Sequence, residues 1–218
     1  MQLYEERQQI VEYGKKMIDA RLTTGTGGNI SIYNRKEQLI AIKPSGIEYH
    51  DITPQDIVIV NTKGEIIEGN KKPSSELSMH KIFYNKRQDI NAIVHSHSIN
   101  ATTLACLGEP LKAIHYLIAF SGSDLVECTP YAPFGTQELA ELAYQHMQNK
   151  YAVLLGNHGI LTAGPNIPYA YSALEELEFC AELYLKTKAL GGGKILTKEE
   201  INTVLKKFST YGQKQEQK

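Results

Sequence analysis

Two runs of alternating residues constrain this chain most. NISIYNRKEQLIAI, from residue 29 on, alternates apolar with polar positions and carries many β-branched side chains. Successive strand residues face opposite ways, so the run reads as a strand hairpin over 29–43. The stretch IVIV, then NTKG, then EIIEG reads as a second hairpin. Hairpin partners are antiparallel. A mixed or largely antiparallel sheet is therefore expected, with helices on both faces. The helices are read from apolar periodicity and end signals: 4–21, one near 75–87 opened by Pro73 and an N-cap Ser74, and ATTLACLG closed by Gly108. Further helices are read from FGT to about residue 149, over 168–190 ended by GGG, and over TKEEINTVLKKF. In the last, Thr197 and Glu200 have capping-box spacing. NAIVHSHS and DLVECTP read as strands, and YAVLLGNHGILTA as two short strands broken at NHG.

With 218 residues and a net charge of −1, the chain suits one domain, 1–210, with a polar tail at 211–218. Nothing in its charge suggests nucleic acid or an anionic membrane as a partner. No apolar run is long enough to span a bilayer, and the start shows no signal peptide. Cys106, Cys128 and Cys180 stand apart in apolar surroundings and read as reduced core residues, as in the cytoplasm.

TTGTGGNISI, at 23–32, looks like a phosphate cradle but fits neither the dinucleotide nor the P-loop pattern, since both lead into a helix. GTGGN, KPSG and PSSE each expose small residues, hydroxyls and backbone amides suited to an anion. Three such segments suggest a phosphorylated small molecule rather than a nucleotide.

His95 and His97, two apart on a strand, project to one side and can grip one metal ion. Alone, H-x-H also describes two ordinary polar residues at a strand end. His158 sits where an apolar strand breaks between Gly156 and Gly159, and is the third candidate. Three imidazoles suit zinc or a similar divalent ion. Glu76, in the first turn of the 75–87 helix, is the candidate acid or base, although helix-dipole complementarity alone accounts for an acid there. His80, one turn on, is a rival ligand by spacing but reads as packed or hydrogen-bonded locally. His50, His115 and His146 read as structural.

Through GTGGN, PSG, PSSE, VHSHS, AIHYLIA, YAPFGT, NHG and KKFSTYG, the chain resembles the class II aldolase/adducin family. The resemblance covers nearly the whole length. It implies a three-layer α/β/α fold around a central, largely antiparallel mixed sheet, and a ring-shaped homotetramer with the active site between subunits. It implies Zn²⁺ held by Glu76, His95, His97 and His158. It places the substrate phosphate on Thr26, Gly28, Asn29, Ser45, Gly46, Ser74 and Ser75. Glu76 would be the acid/base, Tyr116 a catalytic tyrosine serving a neighbouring subunit, and Tyr211 a tail tyrosine closing over substrate. The implied reaction is reversible cleavage of a ketose 1-phosphate, with L-fuculose 1-phosphate expected, to dihydroxyacetone phosphate and a short aldehyde, here L-lactaldehyde. Two departures are Ser45 where Thr is expected and Gly27 where Ala is expected. A sugar-phosphate 4-epimerase and a non-catalytic adducin-like module are the alternatives. The pairing of Tyr116 with Tyr211 favours the aldolase over the epimerase, and the complete ligand set argues against the adducin-like module.

Overall fold

A computed structural model describes residues 1–208; Tyr211 and the tail 211–218 lie outside the described residues. The elements in chain order are α1 (Tyr4–Asp19), β1 (Asn29–Asn34), β2 (Leu39–Ile42), β3 (Val58–Asn61), β4 (Ile66–Glu68), α2 (Leu77–Lys86), β5 (Ala92–Ser96) and α3 (Ile99–Leu107). They continue with β6 (Leu111–Lys112), β7 (Leu125–Val126), α4 (Gln137–Met147), β8 (Ala152–Leu155), β9 (Gly159–Gly164), α5 (Ile167–Ala189) and α6 (Lys198–Phe208).

The central sheet has seven strands in the order β4-β3-β2-β1-β5-β9-β8. Each neighbouring pair is antiparallel. Both expected hairpins form, and β5 then returns to pair with β1, Asn29 opposite His95. This return brings the glycine-rich loop before β1 against the H-x-H end of β5.

Alternation along the strands builds one core on each face. Ile30, Ile32, Ala92 and Val94 pack with α1, α3 and α5 residues such as Ile10, Leu104 and Leu174. Tyr33, Ile93, Val153 and Leu161 face the other way, toward Phe83 of α2 and Ala143 of α4. The result is the expected three-layer α/β/α arrangement. The capping box on α6 forms as read: Glu200 N donates to Thr197 Oγ1 at 3.2 Å, and Thr197 N donates to Glu200 Oε2 at 2.7 Å.

Several local readings need correction. The second helix begins at Leu77 with Glu76 in the N-cap position, so Ser74 is not its cap. Ser74 Oγ instead accepts from Glu76 N at 3.2 Å, within a turn that precedes the helix. DLVECTP is not a full strand: Leu125 and Val126 pair with β6, and Cys128 makes one isolated bridge to Leu154. Tyr116–Ser121 winds into a 3-10 turn. All three cysteines are free, but Cys180 alone is buried; Cys106 is exposed and Cys128 half-buried. Cys106 lies on α3 away from Ala101, Leu104 and Ala105, which carry that helix into the core.

Candidate active site

The four residues expected to hold a metal come from three places and meet. His95 is the last residue of β5 paired with β1, Ser96 still pairs with Ile160 of β9, and His97 follows just beyond the strand. His158 sits in the tight connection between β8 and β9, beside Asn157, which holds a left-handed backbone (φ 53°). Ligand atoms of the three histidines all lie within 4.8 Å of one another. Glu76 arrives from the turn before α2: Oε2 stands 3.2 Å from His95 Nε2, and Oε1 stands 3.5 Å from His158 Nε2.

His95 is fully buried, and its Nδ1 lies 2.9 Å from the Ile160 carbonyl. A carbonyl only accepts, so Nδ1 carries the hydrogen and Nε2 presents a lone pair. That lone pair points at His97 Nε2, 3.0 Å away, and at the Glu76 carboxylate. Burial pushes His95 down to about 3, against the pull of Glu76, and also lowers His97. Burial would raise Glu76, but His95, His158 and the Asn29 amide outweigh it and hold the carboxyl below its ordinary value. Glu76 is thus ionised, and burial favours the neutral forms of His95 and His97. Glu76 Oε1 is buried without a hydrogen-bond partner. Acceptors turned on one another around an orphaned carboxylate oxygen are what a divalent cation satisfies, so the residues fit a metal.

Beside this cluster opens a cavity of about 450 Å³. All three segments expected to bind an anion line it: Thr26, Gly28 and Asn29 from the loop before β1, Ser45 and Gly46 from the turn after β2, and Ser74 and Ser75 before α2. Glu76, His97 and His158 form its metal side. Gly28 holds φ 68°, and any side chain there would strike the His95 carbonyl, so the loop approaches β5 as closely as a bare backbone permits.

Asn29 lies at the cavity wall, but its amide is engaged elsewhere: Nδ2 donates to Glu76 Oε2 at 2.9 Å, and Oδ1 bonds His80 Nε2. His80 is fully buried, and burial lowers it to about 4; its ring nitrogens are taken by Ser31 Oγ and Asn29 Oδ1, outside the three-histidine cluster. Tyr116 does not reach its own chain's cavity. It is 47% exposed and stacks on His115, which in turn meets Phe179 edge-on. His50 is exposed near Asp19, and His146 lies in the last turn of α4.

The structure adds cavity residues not singled out above: Lys43, Tyr131, Phe134 and Asn157. Lys43 Nζ sits 3.3 Å from the Thr26 and Pro44 carbonyls and 4.6 Å from the centre of the Tyr49 ring. Burial brings it down to about 8. The signal was its place in KPSG, directly before the turn; the fold alone shows that this cation joins the lining of the cavity.

Fold and site together define a class: the chain belongs to the class II aldolase/adducin family, matching the description "Class II Aldolase and Adducin N-terminal domain" over residues 8–185. That makes it an aldolase, a metal-dependent carbon–carbon lyase. It is 54% identical over 213 residues to the 5-deoxy-D-ribulose 1-phosphate aldolase of Bacillus thuringiensis serovar kurstaki, covering 98% of this chain and 100% of that one. It is 40% identical over 205 residues to the L-fuculose phosphate aldolase of Escherichia coli O6:H1, covering 94% of each chain. Among solved structures, an L-fuculose 1-phosphate aldolase superposes with a TM-score of 0.92 at 45% identity, covering 94% of this chain and 96% of that one.

Proposed function

We propose that this enzyme reversibly cleaves a 1-phosphorylated deoxyketose, with 5-deoxy-D-ribulose 1-phosphate as substrate ahead of L-fuculose 1-phosphate. The observation that carries the choice is the 54% identity, end to end, with an aldolase named for the deoxypentulose, against 40% for one named for fuculose phosphate. Either substrate yields dihydroxyacetone phosphate. The first releases acetaldehyde, the second L-lactaldehyde, so the aldehyde half alone separates them.

The phosphate is held by backbone amides and hydroxyls of the three cavity segments, with the Lys43 charge behind them. That anchor fixes the reacting carbon beside Glu76. His95, His97, His158 and Glu76 would hold Zn²⁺, which would supply Lewis acidity to the substrate. In the synthetic direction the ionised Glu76 takes a proton from the carbon that forms the new bond. In cleavage Glu76 is first protonated by the proton that leaves the substrate hydroxyl, passed on through Tyr116 and water, and returns it to that carbon. Tyr116 of a neighbouring copy takes the proton from the hydroxyl that becomes the aldehyde oxygen. Its exposure outside its own cavity supports this shared site in a homotetramer. Tyr211, beyond the described residues, is proposed to close over substrate. Three free cysteines and the lack, among the described residues, of a helix long and apolar enough to cross a membrane support a cytoplasmic enzyme.

The test is a product assay on purified protein. Both ketose phosphates are supplied, dihydroxyacetone phosphate is followed enzymatically, and the aldehyde is identified by chromatography. A higher kcat/KM for 5-deoxy-D-ribulose 1-phosphate is expected. Preference for L-fuculose 1-phosphate would reverse the assignment. A rearranged ketose phosphate with no triose phosphate would mean an epimerase.

A further inference from the structure

Beneath Glu76 runs a chain of buried side chains that the chemistry above does not use. Tyr84 OH donates to the Ser31 carbonyl at 3.0 Å and lies 2.6 Å from Ser31 Oγ. Ser31 Oγ is 2.6 Å from His80 Nδ1, and His80 Nε2 bonds Asn29 Oδ1. Asn29 Nδ2 donates to Glu76 Oε2 at 2.9 Å. No member is more than 5% exposed.

From Glu76 to Ser31 the direction of each bond follows from one end; the single Tyr84 hydroxyl hydrogen is shared between the Ser31 carbonyl and Oγ. A carboxylate only accepts, so the Asn29 nitrogen must face Glu76 and its oxygen must face His80. That oxygen needs a donor, so His80 carries its hydrogen on Nε2. A neutral ring then leaves Nδ1 as an acceptor, and the Ser31 hydroxyl donates to it. Each donor points toward Glu76. Turning the amide over would set oxygen against carboxylate. The chain also ties down one carboxylate oxygen, Oε2, and leaves Oε1 without a hydrogen-bond partner.

We propose that His80 is a positioning residue that acts through Asn29, locking the amide so that it holds Oε2 and presents Oε1 to the reaction. The proposal rests on Glu76 as the acid/base. One readout needs no variant: ¹⁵N NMR of the metal-free full-length protein should show His80 neutral with its hydrogen on Nε2. The opposite tautomer, or an imidazolium, overturns the proposal.

Two substitutions separate position from packing. In His80→Gln the amide nitrogen reaches the place of Nε2 and can still donate to Asn29. In His80→Asn the shorter amide reaches only the place of Nδ1. His80→Asn should lower kcat on the order of 10- to 100-fold, the usual cost of losing a residue behind a metal ligand. KM should stay within about twofold, since phosphate anchoring is untouched. Metal affinity, read by chelator competition, should weaken about tenfold in His80→Asn. His80→Gln should recover most of both. Equal losses in the two variants that track a fall in thermal midpoint would mean His80 only packs, and wild-type behaviour in both would also overturn the proposal. Glu76→Gln separates the underlying reading, being expected to lose roughly 10²- to 10⁴-fold in turnover. If it turns over normally, Glu76 is not the acid/base, and the tautomer and the metal-affinity split still decide whether the chain positions it.

Discussion

Replacing Gly28 with alanine should damage the protein more than replacing Gly46, although both glycines hold nearly the same backbone angle, φ 68° and 71°. The left-handed region costs an alanine roughly 1–2 kcal/mol at either position. The surroundings differ. A methyl at Gly46 meets nothing within 4 Å, whereas at Gly28 it falls well inside van der Waals contact with the His95 carbonyl oxygen, which is backbone in the middle of the sheet. Neither β5 nor the loop can yield without breaking the pairing of Asn29 with His95. Overpacking of this kind adds about 1–3 kcal/mol. Gly46→Ala should therefore lose about 1–2 kcal/mol and Gly28→Ala about 2–5 kcal/mol. The assay is guanidinium unfolding by circular dichroism on metal-free protein at one fixed concentration, because an oligomer's midpoint depends on concentration. KM for the ketose phosphate should also rise in Gly28→Ala, as Thr26 and Asn29 shift with the loop. Equal stability losses in the two variants would refute the close-approach argument and leave the backbone angle as the whole effect.

Exhaustive chelation should abolish cleavage and zinc should restore it; full activity with metal content confirmed near zero would remove the metal from the reaction. Lys43→Met should raise KM for the phosphorylated substrate. In the native enzyme KM should climb as pH passes about 8, where the buried ammonium loses its proton, while the variant's KM stays flat there; matching pH profiles would separate Lys43 from the phosphate. His95→Ala and Tyr116→Phe should each be nearly inactive alone. Unfolded together in equal amounts and refolded, they should recover roughly a quarter of sites if Tyr116 serves a neighbour in a closed ring. No recovery, with mixed oligomers shown by mass spectrometry, would assign Tyr116 to its own chain or to no site.

The hairpins at 29–43 and around NTKG, the three-histidine set and the three small-residue segments that meet at the cavity were all legible in the chain. Strand alternation, turn chemistry and helix caps act over a few residues, and those signals survive without a fold. The pairing of β1 with β5 is different in kind. Asn29 and His95 are far apart along the chain, and their adjacency depends on a long return connection with no local code. Glu76 was visible as an acid near a helix start, yet the turn that lifts it off the helix and aims it at His95 depends on packing against the sheet. His80 shows the same limit. One helical turn from Glu76, it looked like an ordinary packed residue or a rival ligand. In the fold it is buried, with both ring nitrogens engaged by the Asn29 amide and the Ser31 hydroxyl rather than by the three-histidine cluster. Lys43 was one more lysine in a polar turn until the fold closed that turn around the cavity. Which side chains meet is settled by long-range closure of the sheet, and the pKa of each group follows from the burial that closure creates.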